Sequence, residues 1–99
     1  MAPRQLRSVQ MAPWKLADQG RGEGEARLIE SDGDWAVIES TQPFPIGATL
    51  SGTDPETGTE YRVKVRAGRR VDESRFRIEG RFVSLTREER ERLFAAMGV

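Results

Sequence analysis

Between residues 61 and 82 the chain alternates apolar and polar side chains in two runs. Tyr61, Val63, Val65 and Ala67 fall on one side of the first run, with Arg62, Lys64 and Arg66 on the other. Phe76, Ile78, Gly80 and Phe82 oppose Arg75, Arg77, Glu79 and Arg81 in the second. A period of two belongs to strands with one buried face. Arg69, Arg70 and the turn-forming Asp72-Glu73-Ser74 separate the runs, so the pattern predicts an antiparallel hairpin with one apolar and one arginine-rich surface.

The remaining elements follow from similar signals. Residues 26–29 predict a short strand, Ser31-Asp32-Gly33-Asp34 a hairpin turn, and residues 35–39 the returning strand. Trp35, Ala36, Val37 and Ile38 are apolar in succession, so both faces of that strand need cover. Trp14 upstream and a C-terminal helix are the available covers. Pro43 and Pro45 remove two backbone donors, which makes residues 42–47 a shaped connection rather than a central strand. Residues 48–51 resume an extended strand, and Asp54-Pro55-Glu56-Thr57-Gly58 turns into the basic hairpin. After Val83 the period changes: Thr86 and Glu89 have capping-box spacing and predict a helix over residues 87–97. Leu93, Phe94 and Met97 give that helix an apolar face, and Gly98 suits its stop. The expected core is Trp35, Val37, Val63, Val65, Phe76, Ile78 and Phe82, with the helix face packed on it. Residues 1–25 read as a flexible arm before a domain of residues 26–99, because Pro3, Pro13 and the run Gly20-Arg21-Gly22-Glu23-Gly24 interrupt regular structure. Trp14 is expected to pack back onto the domain, and Gly20 to Gly24 to be poorly ordered.

With 99 residues the chain is expected to form one domain with a single core. Hydrophobic residues are 36% and charged residues 32%, polar for a globular chain but not the signature of disorder. Cysteine and histidine are both absent, which removes disulfides, thiolate nucleophiles, the commonest general base and the commonest metal ligand. No glycine-rich phosphate loop or calcium loop is present. The expectation is a non-catalytic protein without cofactor or metal. No apolar run approaches the ~20 residues that span a bilayer, so no membrane insertion and a cytoplasmic location are expected.

The formal net charge is zero from 16 basic and 16 acidic residues, yet the signs are segregated. Residues 23–60 carry nine acidic and one basic side chain, whereas residues 61–81 carry eight basic and three acidic. Either these blocks neutralise each other across a sheet, the favoured reading, or the arginine face stays open for a phosphate-bearing ligand.

From Ser31 onward the order of features resembles the PilZ domain family, bacterial modules best known for binding cyclic di-GMP. The resemblance is carried by Ser31-Asp32-Gly33-Asp34-Trp35-Ala36-Val37, then Pro43-Phe44-Pro45-Ile46-Gly47-Ala48-Thr49-Leu50, then Phe76-Arg77-Ile78-Glu79-Gly80-Arg81-Phe82-Val83, followed by a helix with Arg90 and Leu93. It implies a mainly β fold: a small six-stranded antiparallel barrel with a C-terminal α-helix. The family's ligand depends on an N-terminal Arg-x-x-x-Arg and on Asp/Asn-x-Ser-x-x-Gly at a strand turn. Here Ile29, Ser31 and Asp34 occupy the defining positions of the second motif, so only the serine matches. Arg4 and Arg7 have the wrong spacing for the first. The resemblance therefore implies an atypical member, a regulatory adaptor that works through a protein partner. Such a member would bind cyclic di-GMP weakly or not at all. If cyclic di-GMP is bound, Arg4, Arg7, Ser31, Arg69 and Arg70 are the candidate contacts. A third reading is a nucleic-acid-binding barrel using Arg62, Lys64, Arg66, Arg75, Arg77 and Arg81. It is disfavoured because no exposed aromatics are interleaved among those charges for bases to stack on.

Overall fold

Seven strands and one helix make up the computed structural model, which describes residues 5–16 and 24–98. In chain order they are β1 (Arg7–Ser8), β2 (Trp14–Leu16), β3 (Gly24–Ser31), β4 (Trp35–Ser40), β5 (Thr49–Thr53), β6 (Glu60–Arg70), β7 (Phe76–Phe82) and α1 (Arg87–Ala96). All pairings are antiparallel, and the order β3-β2-β5-β6-β7-β4 returns to β3, closing a six-stranded barrel with β1 as an extra strand on β3. The expected mainly β barrel with a terminal helix is the fold.

The predicted arm is revised by this topology. β2 lies between β3 and β5 and is a stave of the barrel, with Trp14 opposite Ala26 and Leu16 opposite Gly52. Trp14 is fully buried, stacks on Tyr61 at 5.0 Å and meets Phe82 edge-on at 6.4 Å. Burying an indole offsets the short ladder of this strand, since three residues supply few backbone bonds. Pro13 does interrupt the extended run. Between β1 and β2 five residues (9–13) face three on β3 (27–29), and the surplus reaches the helix, where the Gln10 amide donates to the Ala96 carbonyl at 2.8 Å. The expected disorder of Gly20 to Gly24 falls outside the described residues, except that Gly24 opens β3.

The alternation of the basic hairpin is reproduced up to Val65. Val63, Val65, Ile78 and Phe82 are core residues, but Ala67 is exposed. A bulge shifts the register between Val65, opposite Gly80, and Ala67, opposite Glu79, and an extra residue reverses the side on which all later side chains emerge. Gly80 faces the start of this bulge, opposite Val65. A methyl group there would collide with the Lys64 carbonyl oxygen and lie 2.8 Å from its carbon. Only glycine lets two backbones approach so closely.

In β4 the inner residues are Ala36 and Ile38. Trp35 and Val37, expected in the core, lie on the outer face. Trp35 is half-buried there, its indole nitrogen donating to Glu79 Oε1 at 3.4 Å. Val37 is fully buried without joining the main cluster. Neither Trp14 nor the helix covers it. On that face its neighbours are Trp35 and Glu39 along the strand and Glu30 and Glu79 across it, all half-buried. Phe76 is likewise half-buried at the barrel end.

The helix begins at a complete capping box: the Thr86 hydroxyl accepts from the Glu89 amide at 3.1 Å, and the Glu89 carboxylate accepts from the Thr86 amide at 2.9 Å. Leu93 and Met97 enter the core, while Phe94 is half-buried against it and against Gly33. No described helix is long and apolar enough to cross a membrane.

Candidate functional site

The β3–β4 turn is built by its own side chains. Ser31 is fully buried; its hydroxyl donates to the Trp35 carbonyl at 2.7 Å and accepts from the Gly33 amide at 3.0 Å. Asp32 Oδ1 accepts from the amides of Asp34 (2.9 Å) and Trp35 (2.7 Å). Gly33 has φ of +94°, and a methyl group there would also lie 2.8 Å from the Phe94 ring. Ser31, the one match to the motif of the resembled family, thus holds a turn, and its hydroxyl is spent on backbone partners. Next to it the Asp34 carboxylate faces Arg81 at 3.7 Å, so each offsets the charge of the other and Arg81 is not left free for an anion.

The register sorts the other candidates. Arg7 is exposed and pairs directly with Ser31, so these two belong to one end of the barrel. Arg69 and Arg70 belong to the opposite end. Ser31 pairs with Ala36, whereas Arg70 pairs with Phe76, which pairs with Ser40; four residues of β4 therefore separate the groups. At ~3.3 Å per residue that is about 13 Å along the strand. Arg70 is moreover a clamp for its own loop, donating from Nε to the Asp72 carbonyl at 3.0 Å and from Nη2 to the Glu73 carbonyl at 3.1 Å. Arg4 lies outside the described residues. The four candidates among the described residues, Arg7, Ser31, Arg69 and Arg70, lie at two ends of the barrel and do not converge on one ligand.

Sequence reading missed a shallow groove of about 280 Å³ between Pro13, Glu25, Arg27, Glu39, Thr41 and Arg75. Its strongest contact is internal, Arg75 Nη1 to Glu39 Oε1 at 2.7 Å. Two acids and two bases leave it without net charge, and its walls come from distant segments that no sequence spacing links. The Tyr61 hydroxyl is a second feature that the sequence reading did not anticipate, although it placed the residue on the apolar face. Its ring is buried, and among the described residues its hydroxyl has no hydrogen-bond partner. Burial pushes that hydroxyl's pKa up, Asp54 and Glu89 add to the shift, and Arg92 opposes it.

The arginine face is largely neutralised within the sheet, the favoured of the two readings of charge. Arg62 meets Glu60 (3.1 Å), Arg75 meets Glu39, Arg77 meets Glu79 (3.8 Å) and Arg81 meets Asp34. Such exposed pairs contribute about 0 to 1 kcal/mol each. Four cations of β6 have no ion-pair partner among the described residues: Lys64, Arg66, Arg69 and Arg70, the last of which is held by backbone carbonyls. Two of them stand directly opposite like charges, Lys64 across from Arg81 and Arg69 across from Arg77. That arrangement is locally unfavourable in a sheet.

Among the described residues no group of three His, Cys, Asp or Glu side chains is placed to hold a metal ion. Comparisons with protein-family models, with curated proteins and with solved structures gave no match.

Proposed function

We propose that this chain is a non-catalytic regulatory adaptor of PilZ type, acting through a protein partner in bacterial motility, surface attachment or second-messenger signalling. The observation that carries the reading is the dispersal of the would-be ligand contacts. Recognition of a doubly charged dinucleotide needs arginines converging on phosphate or guanine beside a turn that admits close approach. Here Ser31 is used up by its turn, Arg81 beside it is engaged by Asp34, and Arg69 and Arg70 sit at the other end. A barrel of this kind offers a partner its surface rather than a pocket. One observation favours a second reading as cyclic di-GMP receptor: Arg7 is exposed beside Ser31 in register.

Calorimetric titration with cyclic di-GMP at physiological salt separates the two. The adaptor reading expects no saturable binding, only weak association that fades as salt screens the exposed arginines. Micromolar or tighter affinity that survives physiological salt and is lost in Arg7→Ala would establish the receptor instead. Photo-cross-linking from several surface positions in the native host should then recover one protein partner, and failure from every position would count against the adaptor.

A further inference from the structure

The distal half of β6 is an open sheet edge. β5 pairs with β6 only through residues 60–64, and the ladder ends with the Val65 amide donating to the Ala48 carbonyl (2.9 Å) and the Gly47 amide to the Val65 carbonyl (2.9 Å). Upstream of Gly47 the chain cannot continue that ladder. Pro45 and Pro43 lack amide donors, and the Ala48 amide turns back to the Pro45 carbonyl at 3.1 Å. β6 nevertheless runs on to Arg70, held on its other side by β7.

The direction of its free backbone groups follows from parity. Val65 faces β5; the Val71 amide faces β7, donating to the Arg75 carbonyl at 2.9 Å. Simple alternation would put both on one side, and the bulge between Val65 and Ala67 supplies the inversion. Gly68 and Arg70 therefore present amide and carbonyl groups outward, where among the described residues no strand pairs with them. Residues 66–70 are all exposed and span about 17 Å of edge at ~3.3 Å per residue.

What flanks this edge points to its occupant. Lys64, Arg66 and Arg69 flank it without an ion-pair partner among the described residues, and Arg70 meets only backbone carbonyls. Among the described residues, the large apolar side chains exposed to solvent are Ile46 (73%) and Val71 (56%), and they stand one at each end of it. We infer that the free edge of β6 is a docking strip for an extended acidic segment of a partner protein, which adds as a strand beside residues 66–70. Its backbone would pair with Gly68 and Arg70, its carboxylates would meet Lys64, Arg66 and Arg69, and apolar residues at its ends would cover Ile46 and Val71. The same arginines repel a second copy of this edge, so the strip selects against self-pairing while remaining open to an acidic strand. Nucleic acid fits less well, because it has no use for a strand edge and no exposed aromatic ring is placed between these charges. The inference rests on the adaptor reading and adds the surface and the chemistry of the partner.

The test uses the full chain, isotope-labelled for NMR, and a synthetic heptapeptide with valine at both ends and glutamate at alternate positions between them. The expected result is saturable shifts and slowed hydrogen exchange at the Gly68 and Arg70 amides, with binding about tenfold weaker when glutamine replaces glutamate. A backbone N-methylated peptide of the same charge should not bind. Arg66→Glu with Arg69→Glu should abolish binding, and Lys64→Glu with Arg69→Glu tests the same charge away from the bulge should the first pair disturb folding. Equal binding of the N-methylated peptide, no response at Gly68 and Arg70 up to millimolar peptide, or displacement by a single-stranded oligonucleotide at lower concentration would each overturn the inference. Cross-links to a partner that map elsewhere on the barrel would overturn this strip while leaving the adaptor reading intact.

Discussion

Replacing Gly80 by alanine tests the closest backbone approach in the barrel. The added methyl would overlap the Lys64 carbonyl oxygen, sit 2.8 Å from the carbonyl carbon and touch Val63 Cγ1 at 3.0 Å. The obstacle is the backbone of a strand held on both sides at that point, Lys64 pairing with Thr49 of β5 and with Arg81 of β7, so it cannot swing aside as a side-chain tip would. Overpacking a core commonly costs about 1 to 3 kcal/mol, and a backbone obstacle places this change near about 3 kcal/mol. Against a total stability of about 5 to 15 kcal/mol the loss is large. It corresponds to a fall in melting temperature of about 12 to 24 °C for a domain of this size, read by circular dichroism. Gly68→Ala is the matched control on the other strand of the same hairpin. Its methyl would meet nothing nearer than Ile78 Cδ1 at 3.4 Å, and stability should hold or rise by about 0.4 to 1 kcal/mol as the unfolded chain loses freedom. If Gly80→Ala melted within a degree or two of the parent, the tight apposition at the bulge would be refuted.

Tyr61→Phe should be neutral or stabilise by up to about 1 kcal/mol in urea titration, because it removes a buried hydroxyl lacking a protein partner among the described residues. The same variant has a pH signature: a folded-state pKa above the unfolded one gives stability that is complete below pH ~10 and lost as pH rises through the folded value. Tyr61→Phe should flatten that alkaline decline, and an unchanged decline would remove Tyr61 as its source. Phe82→Ala, which empties the socket shared with Trp14 and Tyr61, should cost about 3 to 5 kcal/mol, measured by the shift in urea midpoint. Thr86→Ala breaks the capping box and should cost about 1 kcal/mol in thermal melts.

Where local chemistry decides the structure, the sequence was readable. Alternation placed Val63, Val65, Ile78 and Phe82 inside, and the Thr86 and Glu89 pair located the helix start. Long-range pairing left no such trace. The bulge that exposes Ala67 is set by barrel curvature, and the choice of Ala36 and Ile38 over Trp35 and Val37 as inner residues of β4 is a matter of register. The same limit applies to the candidate contacts. Ser31 was identifiable as a motif position, but that its hydroxyl is consumed by Trp35 and Gly33, and that Arg70 binds its own loop, depends on partners known only once the chain is folded.

The three residues of β2 decide what a shortened chain would be. A fragment cut just before Gly24 would keep β3 to β7 and the helix, yet one edge of β3 at residues 24–26 and one edge of β5 at residues 52–53 would lose their ladder partners. It would also uncover the face of Tyr61 on which Trp14 stacks. Such a fragment is an open five-stranded sheet with raw margins beside an empty apolar socket, a form prone to self-association. Supplying the missing segment as a separate peptide should restore solubility, which makes Trp14 and its neighbours the keystone of the ring.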